Sequence, residues 1–188
     1  MKLFKTMTLI SLTTLSLFAA DALTEQNAVK QGQKSTKMLM KILGSNMKKH
    51  MKQGGPMEAL DFCSQEAYNL TESVNKKLPQ GVSVKRVSLK TRNPLNTPSA
   101  DEAKVLKELK QLQKEGKPLP KSVVKKTGQN SFKFYKPLVI NKGVCLACHG
   151  DVKDGKLKTE ILNRYPEDKA MHYKMGDLRG AVVTTIKK

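Results

Sequence analysis

Apolar residues recur at helical spacing in the first third of the chain. Met40, Leu43, Met47 and Met51 form one such series, with lysines between them. The spacing predicts a helix over about residues 24–52. The glycine pair and proline at positions 54–56 then predict the end of this helix.

A second helix is predicted from about Met57 to Lys77. Its apolar positions fall on one stripe and are Leu60, Cys63, Ala67, Leu70 and Val74. The stripe therefore predicts that the Cys63 thiol points inward.

The pattern becomes strand-like further along the chain. Val82 to Lys90 is extended, and a change in the parity of its apolar residues predicts a bulge near Lys85-Arg86. Phe132 to Ile140 is the best candidate for a central strand, although Pro137 favours an edge position or a bulge. Asp177 to Ile186 predicts a final strand.

The segments between these strands carry clear local signals. Ser99 and Glu102 form a capping box, which predicts a helix to about Glu115. Residues 92–98 read as a loop, 116–130 as a loop or weak hairpin, and 160–164 as a short helical turn. With helices first and strands later, the sequence predicts an α+β fold in which helices flank an antiparallel sheet after an N-terminal helical segment.

The N-terminus has the composition of a secretory signal peptide. A cationic start is followed by an uncharged stretch from Met7 to Phe18 and by the small-x-small triplet Ala20-Asp21-Ala22. The apolar stretch is shorter than the roughly 20 residues of a membrane-spanning helix. We therefore predict a signal peptide over residues 1–22, one domain over residues 23–188, and a periplasmic location without membrane insertion.

Cys145-Leu146-Ala147-Cys148-His149 is the attachment signature for c-type haem. Two thiols at this spacing can add to the two vinyl groups of one porphyrin, and the histidine becomes the proximal ligand of the iron. Since the chain contains one such motif, it predicts a single covalent haem c.

Two other uses of these residues stay open at this point. Zinc needs four ligands, which Cys145, Cys148 and Cys63 could supply together with either His149 or His172. A catalytic dithiol is the second alternative. Export favours haem over both, because haem is attached to cytochromes c outside the cytoplasm.

The chain is strongly basic, with a formal net charge of +19. Its lysines are scattered along the sequence, which is typical of a solvated surface. They could also steer the protein to an acidic redox partner. The predicted compartment disfavours a nucleic-acid partner.

Several segments together resemble the Tll-like haem-binding family. They are Arg86-x-Ser88-x-Lys90-x-Arg92-Asn93-Pro94-x-Asn96-x-Pro98, Phe134-Tyr135-Lys136-Pro137, the haem motif with Gly150, Tyr165-Pro166 and Gly176-Asp177-Leu178-Arg179-Gly180-Ala181. The resemblance implies a PAS-like fold that carries one c-type haem and acts in electron transfer or redox sensing. It also implies an axial cysteine opposite the proximal His149, and the matching residue is Cys63. His172 is the alternative axial ligand.

Three basic residues in the resembling segment, Arg86, Lys90 and Arg92, could neutralise the haem propionates or be ordinary solvated charges. The preferred function is that of an electron carrier or redox sensor. A sensor of nitric oxide or carbon monoxide that acts through a partner protein is the alternative. A peroxidase-like enzyme would need a dedicated acid–base pair, which the sequence does not display.

Overall fold

A four-stranded antiparallel sheet organises residues 23–188, the part of the chain that the computed structural model describes. The predicted signal peptide, residues 1–22, lies outside the described residues. The elements are α1 (Glu25–Gln65), α2 (Ala67–Asn75), β1 (Val82–Val87), a 3-10 helix (Pro94–Asn96), α3 (Ala100–Lys114), β2 (Val123–Gly128), β3 (Ser131–Val139), α4 (Gly143–His149), α5 (Gly155–Arg164) and β4 (Leu178–Lys187). The predicted α+β fold with helices around an antiparallel sheet is confirmed.

The strands lie in the order β1-β4-β3-β2. The final strand, β4, pairs with β1 on one side and with β3 on the other, so it occupies the middle of the sheet. β3 is also an inner strand, as predicted. Its pairing with β2 ends at Tyr135. Pro137, which has no N–H to donate, therefore lies beyond the part of β3 that pairs with β2. Residues 116–130, predicted as a loop or weak hairpin, contain β2, which forms a hairpin with the following strand β3.

The long helix α1 has a kink where the sequence predicts its end. Gly54 and Gly55 have non-helical backbone angles, with φ of 68° at Gly55, and Pro56 follows. The helix then resumes and ends at Gln65, so the predicted second helix is divided between α1 and α2. His50 spans the kink, because its ring stacks on Phe62 and its Nδ1 lies 2.9 Å from Glu58 Oε1. No helix in residues 23–188 combines the length and apolar character needed to cross a bilayer.

One face of the sheet packs against α1. Leu39 and Leu43 of the helix meet Val84 and Val182 in a buried cluster. Nearer the start of α1, the helix backbone approaches the sheet so closely that a Cβ at Gly32 would collide with the ring of Phe134. Glycine is therefore required there by the close approach.

The opposite face packs against α3. Leu106 and Leu109 of this helix contact Val87 and Tyr135. Helices cover both faces of the sheet, so valines on both faces of β1 are buried. The change in parity of the apolar residues therefore needs no bulge, and the β1–β4 register is regular throughout. The predicted bulge near Lys85-Arg86 is wrong.

A buried carboxylate links α3 to the sheet. Glu102 is 1% exposed, and its oxygens lie 2.9 Å from Lys85 Nζ and 3.0 Å from Lys133 Nζ. Its Oε2 also accepts the Ser99 backbone N–H, which confirms the predicted capping box. Burial opposes ionisation of Glu102, but the bonds from Lys85, Ser99 and Lys133 outweigh it and lower the pKa.

We predict that Glu102→Gln lowers the free energy of unfolding by about 1–3 kcal/mol, because it removes a buried charge that several donors share. Urea unfolding of the purified protein measures this loss. Glu108→Gln is the matched control on the same helix, since Glu108 and Lys125 are both about half exposed and their ion pair contributes little. Equal losses in the two variants would contradict the prediction.

The same variant gives the pH dependence. A carboxyl with a lowered pKa in the folded state adds stability above its unfolded pKa, near 4.5, and loses that contribution as pH falls through the folded pKa. The difference in stability between wild type and Glu102→Gln should therefore be constant near neutral pH and shrink below about pH 4.5. Unfolding curves at several pH values would test this.

Candidate functional site

The short helix α4 presents the three residues of the haem signature. Cys145, Cys148 and His149 lie in its last two turns, and the Gly150 N–H closes the helix by donating to Leu146 O at 2.9 Å. Both thiols are free and partly buried. The structure therefore holds the two predicted attachment sites and the predicted proximal ligand on one rigid segment.

Each cysteine is held against a separate apolar cluster. Cys145 packs on Ile140, Ala170 and Tyr173. Cys148 packs on the cluster formed by Leu60, Leu157, Ile161 and Met171. Burial raises the pKa of the Cys148 thiol. A reactive dithiol depends on a lowered thiol pKa, so this shift disfavours the dithiol alternative.

One ring nitrogen of His149 is fixed by the backbone. Its Nδ1 lies 2.9 Å from the Ala170 carbonyl oxygen, which can only accept, so Nδ1 carries the proton and donates. The lone pair of Nε2 is then available to a metal, as in most histidine ligands. Burial, together with the positive charges of Arg179 and Arg92, lowers the pKa of His149 to about 3. The imidazole is therefore neutral near pH 7, which is the form that binds iron.

A buried ion pair holds the segment that fixes His149. Arg92 donates from Nε and Nη2 to the two carboxylate oxygens of Asp168, at 3.1 and 2.9 Å. Arg92 Nη2 also donates to Cys148 O at 2.7 Å, and Asp168 Oδ1 accepts the Ala170 N–H at 2.9 Å. Asp168 is fully buried and Arg92 is 10% exposed. Arg92 thus acts on the positions of Cys148 and Ala170 rather than as a free surface charge.

Cys63 lies close to this motif, on the part of α1 that follows the kink. The prediction that its thiol points inward is wrong, because Cys63 is exposed and Ala59, Leu60 and Phe62 occupy the core positions of the helix. Nearby protein still raises the pKa of Cys63 by desolvation, and the charges of Arg86 and Arg92 oppose that shift. Leu60, three residues before Cys63, belongs to the apolar cluster on which Cys148 packs, so the two cysteines lie in the same region.

Arg86 adds an unsatisfied donor beside Cys63. Its Nε is buried without a hydrogen-bond partner, and burial lowers its pKa while the charges of Cys63 and Tyr165 raise it. Such a donor would be satisfied by an anionic group brought into the site. Of the three predicted propionate contacts, Arg86 is the one whose surroundings fit that role.

Lys90 and His172 point elsewhere. Lys90 Nζ donates to Met171 O at 2.7 Å and lies 4.6 Å from the centroid of the Tyr173 ring. His172 Nδ1 lies 2.5 Å from Asp151 Oδ1, and its side chain is 70% exposed. These contacts favour Cys63 over His172 as the candidate second axial ligand.

The site as a whole fits a haem better than a zinc ion. In the part of the chain that the structure describes, no group of three or more His, Cys, Asp or Glu side chains is arranged to hold a metal ion. Two thiols on one helix, a neutral histidine held by its Nδ1, a third thiol on a neighbouring helix and an unsatisfied guanidinium match the needs of a porphyrin with carboxylate groups. Sequence reasoning missed Asp168 and Ala170, which carry no pattern of their own.

Comparisons with known proteins identify the family and the fold. The family model described as Tll0287-like matches residues 19–187. The crystal structure of the cyanobacterial heme-protein Tll0287 is similar in fold, with a TM-score of 0.60 and 20% sequence identity over 87% of this chain and 94% of that chain. No curated protein matches the chain.

We predict that Arg92→Gln lowers the free energy of unfolding by about 3 kcal/mol or more, because it leaves the buried Asp168 carboxylate without its cation. Arg92→Lys keeps the charge but loses the paired donation, so its loss should be smaller yet measurable. Urea unfolding gives both values. Wild-type stability in Arg92→Gln would contradict the role of this ion pair.

Proposed function

The chain belongs to the Tll0287-like family, and we propose that it is an exported protein with one haem c, attached covalently through Cys145 and Cys148. The observation that carries this proposal is the state of His149. Its Nδ1 is hydrogen-bonded to Ala170 O, and its pKa is lowered to about 3, so a neutral imidazole is ready as the proximal ligand.

Contacts within the protein hold the two cysteines proposed for covalent attachment in place. Arg92 donates to the carbonyl oxygen of Cys148, and both thiols pack on apolar clusters. A haem bound here supplies one-electron chemistry at its iron. The Ala170 carbonyl orients the imidazole, and the apolar clusters beside the thiols would pack on the porphyrin. The buried Nε of Arg86 would donate to a propionate.

Cys63 is the proposed second axial ligand, with His172 as the alternative. A thiolate ligand donates electron density to the iron and stabilises its ferric state, so we expect a low midpoint potential. Burial raises the pKa of the Cys63 thiol, and the positive charges of Arg86 and Arg92 reduce that shift. In the proposed site, the positive charge of the iron would favour the thiolate further.

Electron transfer or redox sensing in the periplasm is the function that this site supports best. The net charge of +19 supports a role for an acidic partner protein, because opposite charge steers association. An electron carrier should bind such a partner in both redox states, whereas a sensor should bind it in one. Titration of a candidate partner with the oxidised and the reduced protein separates the two roles.

A gas sensor is the second candidate function, and the pKa of Cys63, which burial raises, favours it. A thiolate ligand with a raised pKa would take up a proton more readily and could then give way to nitric oxide or carbon monoxide. Any output would then pass through a partner protein. Addition of carbon monoxide to the reduced protein, followed by absorption spectroscopy, tests whether this position opens.

We predict that the protein made in a host with cytochrome c maturation is coloured and keeps its pigment in acidic acetone, because two thioethers hold the porphyrin. The mature chain should be found in the periplasmic fraction, and its mass should show loss of residues 1–22 and gain of one haem. Cys145→Ala/Cys148→Ala should be colourless, while Cys63→Ala should keep its pigment. A pigment that acidic acetone extracts from the wild type would rule out covalent attachment.

We predict that Cys63→Met raises the midpoint potential by on the order of 100 mV or more, since axial ligands set haem potentials over about 0.8 V. Cys63→Ala should also change the Soret and near-infrared spectra. His172→Ala is the matched control and should leave spectrum and potential unchanged. If the His172 variant changed both and the Cys63 variants changed neither, the two assignments would be reversed.

A further inference from the structure

A cavity lies beside the candidate haem site. Its volume is about 150 Å³, and it lies between α3 and the segments around Ser88 and Arg179. Tyr173 connects the two places, because it lines this cavity and its ring also packs edge-on against His149 at 6.4 Å between centroids. None of the three cysteines of the haem site lines the cavity.

Three cationic side chains surround this space. They are Lys90, Lys110 and Arg179. None of the ion pairs formed within residues 23–188 includes any of them. Arg179 Nη1 donates only to neutral oxygens, Ser88 Oγ at 2.6 Å and Lys90 O at 3.0 Å. Burial lowers the pKa of Arg179, and the negative charge of Asp168 opposes that shift without reversing it.

The other polar groups of the cavity are already engaged. Gln113 donates from Nε2 to Gly176 O at 2.7 Å and accepts from the Leu178 N–H at 3.0 Å. Asp177, the carboxylate that lines the cavity, accepts the Lys174 N–H at 2.7 Å. His172 is bonded to Asp151. Three cationic side chains and the one carboxylate of Asp177 give the lining of this space a net positive charge.

The remaining walls are apolar. Leu89, Leu106 and Leu178 contribute them together with the Tyr173 ring. A cavity of about this volume can hold a molecule the size of benzene, or about six non-hydrogen atoms. A small cavity lined by cationic and aliphatic side chains has the size and charge to receive a short-chain carboxylate. Guanidinium groups pair with carboxylates especially well.

We propose that this cavity binds the carboxylate of a short-chain acid, with Arg179 and Lys110 as the cationic contacts. The carboxylate can belong to a free acid or to a propionate of the haem, and only the second source rests on the proposed function. Binding here acts on the haem site through Tyr173, whose N–H donates to His149 O at 2.9 Å.

The first experiment titrates butyrate into the purified full-length mature protein by calorimetry, with butyramide as a neutral probe of the same size. Butyrate should bind at least about tenfold more tightly than butyramide, because charge-assisted hydrogen bonds distinguish them. Arg179→Gln and Lys110→Gln should each weaken butyrate binding. Lys110 is exposed on α3, so its variant tests the proposal even if Arg179→Gln fails to fold. Lys126→Gln, an exposed lysine on β2, is the control and should bind like the wild type.

The second experiment identifies the source of the carboxylate. It measures the pH dependence of the haem midpoint potential in the same variants. Butyrate binding to the haem-loaded protein assigns the cavity to a free acid. Absence of butyrate binding, with a changed pH dependence in Arg179→Gln and Lys110→Gln but not in Lys126→Gln, assigns it to a propionate.

Two results would overturn the proposal. One is equal binding of butyrate and butyramide. The other is absence of butyrate binding together with an unchanged pH dependence in every variant. If the purified protein carries no haem, the butyrate titration still tests the cavity, so a failure of the haem assignment is distinguishable from a failure of this one.

Discussion

The buried ion pair between Arg92 and Asp168 is the constraint on which the site depends. Asp168 is fully buried, so its charge has to be matched within the protein, and Arg92 matches it with two parallel hydrogen bonds. Arg92 follows β1, while Asp168 precedes the segment that fixes His149. The pair thereby connects the segment after β1 to the haem motif, which lies on a helix of only seven residues. A helix this short has little stability of its own.

Positive charge is distributed around the motif in three distinct ways. Arg92 is neutralised by Asp168, Arg86 has a buried Nε without a hydrogen-bond partner beside Cys63, and Arg179 bonds only to neutral oxygens. The Arg92–Asp168 pair holds the site together, whereas the proposed binding of anions depends on Arg86 and Arg179. The three arginines thus differ in their surroundings, although a count of basic residues would treat them as equal.

Local patterns predicted local structure well. The capping box at Ser99 and the break at Gly54-Gly55 are encoded by neighbouring residues, and both are present. The inward Cys63 failed because helical periodicity identifies a stripe about 100° wide without showing which edge of it meets the core. The contact of Arg92 with Asp168 joins residues 76 positions apart, and no local pattern reveals such a pair. The roles of Cys145, Cys148 and His149 stay predictions, and they rest on the spacing that covalent attachment of haem requires.

The kink at residues 54–56 makes the length of the chain there part of the binding geometry. Residues before it are held by the sheet, while Cys63 lies in the portion of α1 that follows. Each residue of an α-helix turns the next by about 100°. Removing or adding one residue at this junction would therefore rotate Cys63 by more than a quarter turn relative to the part of α1 that packs on the sheet. The proposed role of Cys63 thus depends on the spacing at the junction as well as on the cysteine itself.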